Sequence, residues 1–174
     1  MTHINNTSFY VEFLVGDRAE EPAELVITSI GDRLLPRLRY RTGDIYRADD
    51  QPCACGCDLP VVRHEGRLRN MILVTDADHQ EWVGPRDVDD AIGADLPIDT
   101  YRLHQHADGA FTLLLYIASS PSARPAGELT DRLRTLLGED VRLAVESTDH
   151  IPSPWSGKFA SCVSAVPPPG GTGG

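Results

Sequence analysis

The apolar residues of this chain change their spacing partway along it, and that change limits the folds open to it. Up to about residue 65 they come in short runs of β-branched and aromatic side chains. SFYVEFLV and AELVITSI are two such runs, parted by the acidic turn DRAEEP. LLPRLRYRTGDIYRAD continues as short strands broken at Pro36 and Gly43, and VVRHEGRLRNMILVT reads as a strand-like pair bent at Gly66. Beyond residue 70 two stretches take a helical period. Pro85 opens PRDVDDAIGA, with acids early and Gly93 near its end. AGELTDRLRTLLGED sets Leu129, Leu133, Leu136 and Leu137 on one helical face, with Gly138 as the stop. MILVT, TYRLHQH, AFTLLLYIA, VRLAVEST and FASCVSAV read as strands around these helices, and TDADHQEWVG as a polar loop.

The expected fold class is therefore α+β. A small all-β subdomain covers residues 1–65, and a small C-terminal α+β domain covers 66–166 in the order β-α-β-β-α-β, with both helices on one face of a sheet. Residues 167–174, PPPGGTGG, read as a disordered Pro/Gly tail. A chain of 174 residues, 41% hydrophobic and 24% charged, can bury a real core. No apolar run approaches the roughly 20 residues of a membrane span, and MTHINNTSFY is no signal peptide, so the expectation is a cytoplasmic protein with no membrane contact. Sixteen basic against 26 acidic residues give a net charge of −10, which disfavours nucleic acid as a partner. Among the basic residues Lys158 is the sole lysine, a scarcity mostly owed to composition.

Three of the four cysteines crowd into residues 53–57, too close together for a disulfide framework. Cys53, Cys55 and Cys57, with His64 seven residues on, could complete a tetrahedral structural zinc site. The competing reading is a tight glycine-bearing turn with reduced thiols. Cys162 sits in an apolar strand and reads as core. His104 and His106 alternate along a strand without an acid at matching spacing, and read as surface. His79, with Asp76, Asp78 and Glu81, reads as a solvated loop rather than a cation site. Trp82 and Trp155 are either partner-facing aromatics or packing against the domain's own edge.

Three further stretches carry chemistry when taken in order: Arg39-Tyr40-Arg41-Thr42-Gly43-Asp44, Gly66-Arg67 to Met71, and Ser156-Gly157-Lys158. Together with Phe9-Tyr10-Val11-Glu12, Ala23 to Thr28, Cys53-Ala54-Cys55-Gly56 and Gly84-Pro85 to Asp90, they resemble the adenylate-forming ligases, and among these the phenylacetate–CoA ligase group. The resemblance is collinear up to about residue 165. It implies that Asp44 accepts hydrogen bonds from the ribose hydroxyls of ATP, that Arg67 contacts nucleotide, and that Lys158 brings positive charge to the carboxylate and α-phosphate as acyl-adenylate forms. It also implies that the chain begins at the small β subdomain before the family's hinge. The family's large N-terminal domain, with its phosphate loop and acyl pocket, has no counterpart in these residues.

Two positions depart from the family pattern. Asn70 replaces the usual hinge acid, and the loop Thr75 to Trp82 is longer and more acidic, with Asp76 where a glycine would be. Such a loop repels coenzyme A phosphates. Two functions follow as expectations. One is an accessory C-terminal lobe, a truncated ligase homologue inactive alone, that acts in carboxylic-acid activation with a protein supplying the N-terminal domain. The other is a non-catalytic interaction or regulatory module in a biosynthetic pathway, docking a carrier protein or another partner.

Overall fold

A computed structural model of the protein describes residues 2–14, 23–49, 53–75, 80–118, 126–152 and 159–166. The chain forms two compact units, Met1–Leu68 and Arg69–Gly174.

The first unit is one antiparallel sheet. Its strands are β1 (Thr2–His3), β2 (Phe9–Leu14), β3 (Ala23–Ser29), β4 (Tyr40–Ala48) and β5 (Val61–Arg67), in the spatial order β1-β5-β4-β3-β2. The break expected at Gly43 is instead a bulge inside one continuous strand. Val26 pairs with Arg41 and Glu24 with Ile45, so Thr42, Gly43 and Asp44 stand opposite the single Leu25. Gly43 takes φ +70°, a conformation that costs a side-chain-bearing residue and costs glycine nothing. The bend expected at Gly66 likewise falls later, because Gly66 and Arg67 remain in β5 and the chain turns in the 3₁₀ segment Leu68–Asn70.

Apolar burial in this unit is thin. Among the described residues its buried hydrophobic side chains are Ala23, Val26, Ile45 and Val62, joined by the carboxylates Glu24 and Glu65. Meanwhile the β3–β4 connection turns leucines outward, with Leu34 97%, Leu38 83% and Leu35 61% exposed. That connection is nonetheless tied down. Asp32 Oδ1 accepts from the Leu34 and Leu35 amides, both at 3.1 Å, Ser29 N–H donates to Arg37 O at 2.8 Å, and Arg39 N–H donates to Thr28 Oγ1 at 3.0 Å.

The second unit is built around one apolar cluster. β6 (Ile72–Thr75) and β7 (Gln80–Val83) form a hairpin, so the stretch expected as polar loop is half strand, with Trp82 paired to Leu73. α1 (Pro85–Ile92) follows, then β8 (Thr100–Gln105), β9 (Phe111–Tyr116), α2 (Ala126–Leu137), β10 (Leu143–Ser147) and β11 (Cys162–Ser164). The four-stranded sheet runs β10-β9-β8-β11; β8 and β9 are antiparallel, while β10 joins β9 and β11 joins β8 in parallel. This is the α+β class expected.

Period-two burial explains the sheet's inner face. Tyr101, Leu103 and Gln105 on β8 are buried opposite Leu115, Leu113 and Phe111 on β9. The same cluster takes Val88 and Ile92 of α1 and Leu129, Leu133 and Leu137 of α2, so both helices cover that one face. Ile72 and Val83 bring the hairpin onto it. Glycines close both helices: Gly93 at φ +75° and Gly138 at φ +106°, whose amide donates to Arg134 O at 2.8 Å. Among the described residues no helix is long and apolar enough to cross a membrane.

One buried amide ties three strands. Gln105 Oε1 accepts from the Leu73 amide at 3.2 Å and from Ser164 Oγ at 2.7 Å, and its Nε2 donates to Leu73 O at 2.5 Å. The side chain thus stands in for a strand partner between β8, β6 and β11. A buried polar group satisfied in this way fixes the packing of those strands, because any slip leaves it unpaired.

Leu133 and Leu129 are fully buried, whereas Leu136 only packs partly against the cluster. Leu133→Ala is expected to cost about 2–5 kcal/mol in urea unfolding, and Leu136→Ala clearly less; equal losses would contradict this placement of the helix face. A second expectation concerns Asp95, whose carboxyl is drawn down to about 2, chiefly by its hydrogen bonds from Arg132 at 2.9 and 2.6 Å. Because the folded pKa is depressed, the pair's contribution is complete above the ordinary carboxylate value and fades as pH falls towards 2. It is exposed and therefore screened by salt. The difference in melting temperature between wild type and Asp95→Asn should shrink on acidification from about pH 5 to pH 2 at low ionic strength.

Candidate functional site

The bulge in β4 determines where Asp44 points. Glu24 is buried, with a side chain 6% exposed, and holds the bulge from the neighbouring strand. Its Oε2 accepts from Arg41 Nε at 2.8 Å and also from Arg41 Nη2, while its Oε1 accepts from the Gly43 amide at 3.2 Å. Thr42 Oγ1 donates to Leu25 O at 2.8 Å and accepts from the Asp44 amide at 3.0 Å. With the backbone so fixed, Asp44 stands in register with Arg67 on β5.

Arg67 Nε approaches Asp44 Oδ1 to 2.8 Å, and Arg67 Nη1 donates to Thr42 O at 3.2 Å. The Asp44 side chain keeps 23% exposure and that of Arg67 50%. His64 completes the group: its Nε2 lies 3.7 Å from Asp44 Oδ1, and its ring lies 5.0 Å from that of Tyr46. Burial first, and then Asp44, pushes the Tyr46 hydroxyl pKa up. The result is a half-open carboxylate, oriented by a guanidinium and flanked by an imidazole. It can accept hydrogen bonds from a diol while the arginine meets an anion. The sequence brought Asp44 and Arg67 forward; the place of His64 beside them was not legible there.

His64, expected beside Cys53, Cys55 and Cys57 as a zinc ligand, faces Tyr46 and Asp44, and among the described residues the ligand atoms that cluster with Cys53 and Cys55 are those of His3. β5 turns its ring onto Tyr46 across the β4 pairing, where Tyr46 and His64 are register partners. The imidazole beside the cysteines is that of His3. β1 pairs with β5 through His3 and Val61, and this brings His3 Nε2 to 3.1 Å from Cys55 Sγ. His3, Cys53 and Cys55 have ligand atoms all within 4.8 Å of one another. All four cysteines are free thiols. The Cys53 thiol is held down to about 7 by the Cys55 amide, the Cys55 thiol and His3, in that order. Cys162 is fully buried, and burial pushes its thiol up to about 12, as suits a core residue.

Lys158 and Trp155 lie outside the described residues, as do Asp76, Asp78 and His79. The chain just after Lys158 is anchored: Arg102 stacks over Phe159 at 5.3 Å, and its Nε donates to Ala160 O at 3.1 Å. His104 and His106 lie with ring centroids 4.5 Å apart, and His106 Nε2 is 2.8 Å from Thr112 Oγ1.

No protein-family model and no curated protein matches the chain. Its fold does match solved structures of adenylate-forming CoA ligases. A 2-hydroxyisobutyryl-CoA ligase in the postadenylation state, in complex with R3-HIB-AMP, matches at a TM-score of 0.65 and 20% identity, over 90% of this chain and 36% of that one. An anthranilate CoA ligase in complex with anthranoyl-AMP matches at 0.60 and 17%, over 88% and 31%. The o-succinylbenzoate CoA synthetase of Bacillus subtilis in complex with AMP matches at 0.57 and 15%, over 88% and 33%. The chain therefore spans about a third of the length of these structures and shares their fold over that third.

Glu24 is the support on which the Asp44 position rests. Glu24→Ala leaves the Gly43 amide and Arg41 without their shared acceptor and is expected to cost about 1–3 kcal/mol. Hydrogen exchange at Gly43 should accelerate in that variant more than exchange elsewhere in β4. Unchanged protection at Gly43 would show that the bulge holds itself.

Proposed function

We propose that this chain works as the C-terminal portion of an adenylate-forming unit, activating a carboxylic acid together with a protein that supplies the phosphate loop and acyl pocket. The observation that carries this is the Asp44–Arg67 pair, set by a bulge at the RYRTGD stretch, within a fold shared with adenylate-forming ligases. The order of motifs along the chain favours kinship with the phenylacetate–CoA ligase group. In this reading Asp44 accepts the ribose hydroxyls of ATP, with Arg67 holding its orientation and meeting the nucleotide. Lys158 carries the cation that meets charge developing between carboxylate and α-phosphate. No stretch of these 174 residues resembles a loop able to hold the β- and γ-phosphates.

The outward leucines of the β3–β4 connection support a protein partner. Leu34, Leu35 and Leu38 are held in water by an ordered turn, an arrangement that gains free energy only when another apolar surface covers it. The same feature favours the second reading, a non-catalytic interaction or regulatory module, in which the leucines matter and the nucleotide residues do not.

The isolated chain is expected to show no ATP–pyrophosphate exchange with carboxylic acids, since the triphosphate must be held in line for the reaction. Adding a protein that carries the N-terminal lobe should restore exchange. Lys158→Ala should then lower kcat about a hundredfold or more, equivalent to about 3 kcal/mol of lost charge stabilisation. Asp44→Ala should act mainly on KM for ATP. For the interaction module, Leu34→Ser with Leu38→Ser weakens partner affinity while Lys158→Ala and Asp44→Ala leave it unchanged. An active reconstituted pair indifferent to both Lys158 and Asp44 would refute the catalytic assignment.

A further inference from the structure

The short edge strand β1 and the cysteine turn meet at one corner of the first unit's sheet. Ile4 N–H donates to Pro60 O at 3.0 Å and His3 pairs with Val61, which sets the histidine beside the segment leading into β5. His3 Nδ1 lies 3.1 Å from Leu59 O, so the Nδ1–H donates to that carbonyl. This fixes the tautomer and leaves the Nε2 lone pair directed at the thiols. Metal-bound histidines are commonly held in this way, with the far ring nitrogen tied to a backbone carbonyl.

The cysteine turn is built to match. Gly56 takes φ +72° and its amide donates to Cys53 O at 3.2 Å, closing a tight turn over Cys53-Ala54-Cys55-Gly56. At that turn the ligand atoms of His3, Cys53 and Cys55 all lie within 4.8 Å of one another. A disulfide offers no competing explanation, because the thiols are free and two cysteines separated by one residue pair badly.

We propose that His3, Cys53 and Cys55 hold a structural zinc ion that staples the N-terminal strand to the sheet, with Cys57, which stands outside their cluster, turning in as the fourth ligand. Soft sulfur donors with one imidazole select zinc over the hard divalent cations, and three thiolates with one histidine fill a closed tetrahedral shell. On binding, the thiol protons pass to solvent and no electron moves. The staple supplies order where apolar burial does not: β1 has two residues, and the unit buries few apolar side chains among those described. It also replaces His64 as the nitrogen ligand with a residue 52 positions from Cys55 along the chain. This site is independent of the nucleotide reading.

Full-length protein purified without chelator should carry about one zinc per chain by elemental analysis. Reloading with cobalt(II) should give a sulfur-to-cobalt charge-transfer band and the intense visible bands of a tetrahedral ion. His3→Ala and Cys55→Ser should each weaken cobalt affinity about tenfold or more, while His64→Ala leaves it unchanged. Cys55→His, which keeps a ligand and guards against mere misfolding, should retain metal with a weaker charge-transfer band. Chelation should lower the melting temperature of wild type by more than that of His3→Ala. Folded wild type without a charge-transfer band, or affinity that depends on His64 and not His3, would overturn the site. An unchanged tetrahedral spectrum and affinity in Cys57→Ser would overturn the fourth ligand.

Discussion

A five-stranded sheet whose described residues bury so few apolar side chains must draw order from polar contacts, and the first unit does so in its two buried carboxylates. Glu24 gathers Arg41 and the Gly43 amide, and Glu65 faces Arg63 at 2.8 Å and Arg47 at 3.6 Å. A buried carboxylate without a partner is costly, so each holds the neighbouring strands in one register. Both registers carry an irregularity there. Three residues of β4 oppose Leu25 of β3, and Glu65 is the extra residue of β5 between Gly66 and His64. These two bulges aim Asp44, Arg67 and His64 at one another.

The same scarcity of core explains why the remaining features of this unit point outward. Its leucines do not fill an interior but stand on an ordered connection, open to a covering surface. Its first strand has two residues and is held at the corner where His3 meets the cysteine turn. An ion or a protein that binds such a sheet only when it is folded would add to its stability by mass action. That coupling suits a unit whose proposed work is done only in company.

The second unit has the opposite economy. Two helices, a hairpin and a four-stranded sheet share one apolar cluster, and Gln105 supplies the polar tie within it. Tyr101 shows the same habit at the cluster's edge, with its hydroxyl donating to Asp89 Oδ1 at 2.5 Å; burial and that bond raise its pKa. The cluster packs this unit from within, and the segment that follows Lys158 is fastened to β8 by Arg102.

The sequence alone determined what depends on local spacing. The leucine stripe of α2, Pro85 and Gly93 around α1, and the alternation of β8 and β9 each act within a turn or a strand, so their signals survive without the fold. The stretches that carry Asp44 and Arg67 stood out because a run of neighbouring residues surrounds each, and strand pairing set the two side chains together. What the tertiary structure decided is which distant residues become neighbours. Strand pairing put His64 against Tyr46 and Asp44, and put His3 with Cys53 and Cys55, although His64 lies far nearer to the cysteines along the chain. Gln105 looked like one more polar strand residue until β6 and β11 closed over it. Proximity in sequence constrains the chain only over a few residues, whereas register in a sheet joins residues at any separation. For that reason the elements could be read from the chain, and the company each side chain keeps could not.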